Sequence, residues 1–139
     1  MKIMIYQVAF GAQSNLYEHC IQSVANYCNK YNMKHIVQRE PILKIRPDMA
    51  VTGRSKEAVE RLGYMPIYEK ENAFTYLNQY EQIAIIDSDI YIRPDAPNIF
   101  WDLTKEYAFG AVAERELPCA KKYKSKIKKY SKSAFENLT

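Results

Sequence analysis

Two aspartates one residue apart, Asp87 and Asp89, close the apolar run IAII at residues 83–86. Paired carboxylates in a short turn make a hard, anionic oxygen cluster, the donor chemistry that attracts Mg2+ or Mn2+. Such ions usually keep positions for water and substrate phosphates, so a metal-bound diphosphate is the ligand this pair suits. Ser88 between them serves backbone spacing more than chemistry. A calcium loop counted from Asp87 would need glycine at its sixth position and glutamate at its twelfth, where this chain has Ile92 and Asn98. The structural alternative is that the pair caps a turn, because aspartate readily hydrogen-bonds nearby backbone.

The surrounding sequence supplies elements to position such a pair. Ile3 to Val8 reads as a first strand, and Asn15 with Glu18 has the form of a capping box opening a helix. Leu16, Cys20, Val24, Tyr27, Cys28 and Tyr31 recur at helical spacing on one face of it. Lys34 to Gln38 is a short second strand, and residues 39–54 read mostly as loop. Ser55 is placed to cap a helix carrying Ala58, Val59 and Leu62, with Gly63 at its C-terminal end. Pro66 suits the first turn of a further helix, with Ile67, Phe74 and Leu77 facing inward. Gln82 to Ile86 has the continuous apolar character of a strand in the middle of a covered parallel sheet.

Beyond the aspartates, residues 90–92 continue extended until Pro94 and Pro97; a short helix over 98–103 and a strand over 107–113 follow. Strands alternating with helical segments predict an α/β domain with a mostly parallel sheet. Ligands of such sheets bind beyond the carboxyl ends of the strands. That edge receives Asp87 and Asp89, the segment Val8-Ala9-Phe10-Gly11, and Glu114, Arg115 and Glu116. Glu114 is the best placed of those three to contact a bound ligand, as a general base must. Exposed charge after a strand is the ordinary alternative. Arg93 is within reach of a phosphate at that edge but reads rather as pairing with Asp95, and neither His19 nor His35 has the setting of a metal ligand.

The stretch YLNQYEQIAIIDSDIYIRPDAPNIFWDL, residues 76–103, resembles the core of nucleotide-sugar glycosyltransferases of the GT-A fold. Helix, apolar strand, D-x-D, a second extended piece and RPDAPNIF occur there in that order. The likeness extends over residues 66–118 and more loosely over the first strand–helix unit. It implies a Rossmann-like GT-A fold and a metal-dependent glycosyltransferase, with Asp89 coordinating Mn2+ or Mg2+ directly and Asp87 reaching the metal or the ribose. It also implies that Val8, Ala9, Phe10 and Gly11 lie against nucleobase and ribose, and that Lys70 is the basic residue near the donor. The implied donor is a nucleotide-sugar, UDP-linked by family analogy alone; the acceptor, whether glycan, protein or lipid, is not specified. A haloacid-dehalogenase-like phosphatase also follows an apolar strand with D-x-D, but would normally place Thr or Val where this chain has Tyr91.

GT-A enzymes are longer than these 139 residues, so the expectation is the nucleotide-binding half, completed by a C-terminal half or by oligomerisation. The reading divides the chain into a donor-binding domain at 1–118 and a basic segment at 119–139. From Ala120 onward seven lysines face the single Glu136, so the net charge of +4 belongs to that tail. Lysines interleaved with Tyr123, Tyr130 and Phe135 also suit a polyanion, which leaves a non-catalytic nucleotide- or polyanion-binding module as the alternative function. Three cysteines without C-x-x-C spacing suggest neither disulfides nor zinc, and Cys20 and Cys28 are expected in the core. No segment approaches a membrane span of about 20 apolar residues, and the start reads as a strand, so a cytoplasmic protein is expected.

Overall fold

A computed structural model describes residues 1–10, 14–46 and 53–102. Residues Met1–Phe100 form one compact unit, and a second begins at Trp101. The expected strand at 107–113, the boundary at 118, Cys119 and the basic tail lie outside the described residues.

The first unit is α/β, with a small open sheet of three parallel strands flanked by helices. Strand β1, Ile3–Val8, is central; β2, Lys34–Gln38, pairs on one side and β3, Gln82–Ile85, on the other. Among the described residues β3 is therefore an edge strand and not the middle of the sheet. The registers Met4↔Lys34 and Ile3↔Gln82 bring the carboxyl ends of all three strands to one edge.

Side-chain alternation along β1 splits the core in two. Ile3 and Ile5 pack with Val24, Tyr27 and Cys28 of helix α1, Asn15–Lys30. Met4 and Tyr6 face the other way, onto Ala73 of a 3-10 helix at Pro66–Tyr76. Two layers thus cover the sheet, one on each face. Cys20 and Cys28 are buried free thiols, and burial pushes the Cys28 thiol up to about 11, which keeps it unreactive.

Several local expectations are corrected. The cap of α1 is Ser14, whose Oγ accepts from the Leu16 amide at 3.2 Å, and the Glu18 carboxylate instead holds the Arg39 guanidinium. Leu16 is exposed and leaves the apolar face. Helix α2, Gly53–Leu62, starts before Ser55, which is inside its first turn, and ends at Gly63 in the left-handed region (φ 79°), whose amide donates to Val59 O. After β3 the chain turns at residues 88–89, and residues 90–92 belong to no strand or helix, before the short helix α3, Ile99–Asp102.

The largest correction concerns the 3-10 helix. Ile67, Phe74 and Leu77 are 60%, 57% and 60% exposed, while Glu69, Asn72 and Ala73 are buried. An α-helix would align positions 67 and 74 on one face, and at three residues per turn that alignment is lost. Glu69 is fully buried, and its carboxylate accepts the backbone amides of Ile42 (2.7 Å), Leu43 (3.0 Å) and Lys44 (2.6 Å) and the side-chain amide of Gln38 (2.7 Å). Gln38 in turn accepts from the Tyr6 hydroxyl, which accepts from Asn72 Nδ2 at 2.8 Å. This buried network ties β1, β2 and the loop after β2 to the 3-10 helix. Among the described residues no helix is long and apolar enough to cross a membrane.

Candidate functional site

The strand order reverses at β1. The chain steps from β1 to β2 through α1 on one face, then returns past β1 to β3 through the 3-10 helix on the other. The carboxyl ends of β1 and β3 therefore flank a topological switch point, the position at which open parallel sheets form ligand crevices.

A cavity of about 280 Å3 lies there, lined by Val8 at the end of β1 and Phe10 after it, Tyr17 on α1, Pro66, Ile67 and Lys70 on the 3-10 helix, and Asp87, Ser88 and Asp89 after β3. Six of these are residues expected from the sequence. Ala9 does not line it: its amide extends the ladder to Gln38 O at 2.9 Å. Gly11 and Glu114 lie outside the described residues.

Asp87 sits in a turn closed by the Ile90 amide donating to Asp87 O at 3.2 Å. The same carbonyl accepts Gln7 Nε2 at 3.2 Å, and the Ile86 amide donates to Tyr6 O at 3.0 Å, so the turn is fastened to β1 on both sides of the strand junction. Lys70 Nζ forms a direct ion pair with Asp87 Oδ1. The two side chains are 35% and 56% exposed. Asp89 is exposed and bonds to no other described residue.

Among the described residues no three His, Cys, Asp or Glu side chains cluster for a metal ion. The donor set nonetheless fits a hard cation that keeps most of its positions for water and phosphate: Asp89 is uncommitted and Asp87 engages Lys70 through one oxygen only. His35 is occupied elsewhere, with Nε2 donating to Gln7 Oε1 at 2.8 Å, and His19 stacks on Tyr91 at 5.3 Å between ring centres. Arg93 forms a two-pronged pair with Asp95 at 2.8 and 2.9 Å, away from the cavity.

Tyr17 and Gln7 were not singled out from the sequence. Tyr17 falls off the buried face of α1, which is the signal that could have aimed it elsewhere. Gln7 is a polar residue within an apolar strand, a place that demands a buried partner. No protein-family model, curated protein or solved structure matches this chain.

Proposed function

We propose that the cavity at the carboxyl edge of β1 and β3 is a donor site for a nucleotide-sugar, UDP-linked, in a metal-dependent glycosyltransferase of the GT-A type. The observation that carries this reading is the convergence, at the switch point, of Phe10 from one strand end with Asp87 and Asp89 from the other and Lys70 between them.

The chemistry of the lining supports it. Phe10 and Tyr17 offer flat apolar surface for a base, and Lys70 supplies a cation for a diphosphate. Asp87 and Asp89 would hold Mn2+ or Mg2+. When bound, that ion neutralises charge developing on the departing diphosphate. The residues themselves bind and orient the donor; no covalent step on the protein is required.

The test is release of UDP from a panel of UDP-linked sugars in Mn2+, with water or simple glycosides as acceptors. Slow release that disappears in Asp89→Ala is the expected result. Release that is indifferent to Mn2+ and to Asp89→Ala would refute the reading.

A further inference from the structure

We propose that Lys70 is the built-in counter-cation of Asp87, which a divalent ion displaces, so that metal binding frees the lysine ammonium for the donor's diphosphate. This rests on the donor-site reading and adds to it a coupling between its two ligands.

The geometry points to which partner moves. The backbone of Asp87 is held by Gln7 Nε2 and by its own turn, and Gln7 is fully buried and bonded to His35. On the other side, the backbone that carries Lys70 is anchored one residue earlier by Glu69, whose carboxylate accepts from Gln38 and from Ile42, Leu43 and Lys44. Between these two anchors the lysine is the partner with the longer reach, a flexible four-carbon stem carrying a compact charge against the short aspartate side chain.

A divalent ion on Asp87 would stand beside the ammonium, and two cations at that spacing repel. The lysine must therefore leave when the ion arrives. Lys70, Asp87 and Asp89 all line the same cavity, so a diphosphate bridged to the ion offers the displaced ammonium a new anionic partner. The structure thus assigns Lys70 two opposed effects: it weakens binding of the ion alone and strengthens binding of nucleotide with the ion. By linkage each ligand then raises the other's affinity.

Titrating Mn2+ by electron paramagnetic resonance, with and without UDP, tests this on wild type, Lys70→Met and Lys70→Arg, with melting temperatures to establish that all are folded. Lys70→Met is expected to bind Mn2+ alone more tightly than wild type, by up to about fivefold, the upper end of what an exposed ion pair is worth. The same variant should bind UDP in Mn2+ more weakly, and Lys70→Arg should track wild type. Mn2+ affinity unchanged or weakened in Lys70→Met, with UDP still bound, overturns the exchange and leaves the donor site intact. Tighter Mn2+ binding in Lys70→Met with no UDP binding by any protein upholds the exchange and removes the donor reading. Absence of Mn2+ binding in all three overturns both.

Discussion

Gln7 Nε2 on the central strand donates to the backbone carbonyl of Asp87 at 3.2 Å, while Gln7 Oε1 accepts from His35 Nε2 at 2.8 Å. One buried amide thereby spans all three strands and sets the position at which the aspartate turn leaves the sheet. Gln7→Leu removes the partner of both groups. It should cost about 1–3 kcal/mol in urea unfolding, and at equal occupancy of folded protein it should also reduce the response to UDP and Mn2+. An unchanged stability would show that the amide is not the link described.

His35 gives a pH signature. Burial, and then the nearby Arg39, hold its imidazole below the ordinary value, so it is neutral in the folded protein when the unfolded chain has begun to protonate. The stability it contributes is complete above the unfolded value of about 6.5 and is lost as pH falls through the folded value. NMR titration should find the folded imidazole below about 6.5, and His35→Gln should flatten the stability profile as pH falls below that value.

Glu69 gives a second signature at lower pH. Burial alone would push its carboxyl up, but the hydrogen bonds from Ile42, Lys44, Leu43 and Gln38 outweigh that and hold it below the usual range. Its contribution is complete above the unfolded value of about 4.3 and disappears as pH falls through the folded value. Glu69→Ala leaves four buried or half-buried donors without their acceptor and should cost about 3 kcal/mol or more at neutral pH. Glu69→Gln should reduce the acid-dependent part of the unfolding curve by the share that Glu69 contributes.

Ala73 and Phe74 are neighbours with opposite surroundings. Ala73 is fully buried against Met4 and Tyr6, and Phe74 is 57% exposed. Ala73→Leu should therefore cost about 1–3 kcal/mol through overpacking, and Phe74→Ser should stay within about 0.5 kcal/mol of wild type. Thermal melts of the two variants check the helix face directly; the reverse ranking would restore the α-helical orientation.

That pair also shows where the sequence stops being legible. The strands Ile3–Val8 and Lys34–Gln38 were readable because apolar content and flanking breakers are local signals. The face of the 66–76 helix was not, because Ile67 and Phe74 obey a 3.6 period and the backbone adopts three residues per turn. The buried carboxylate of Glu69 reads as solvated charge until the loop that satisfies it is in place. Strand order is likewise absent from local pattern: β3 has the composition of a central strand, but β1 holds the centre. What did carry over is the placement of Asp87 and Asp89 at the carboxyl edge, since a short apolar strand followed by a turn fixes that position, whereas Lys70 beside them was expected from the family resemblance alone.

The central claim is that this edge binds a nucleotide through a divalent ion. Its most direct test is thermal melting of wild type and Asp89→Ala with UDP, GDP or buffer, each in Mn2+ and in chelator. A ligand at about 100 times its dissociation constant adds roughly 2.7 kcal/mol, a shift of several degrees for a domain of this size. The expected result is a shift in wild type that needs both UDP and Mn2+ and is lost in Asp89→Ala. No shift with either nucleotide, or one that survives Asp89→Ala, would contradict it.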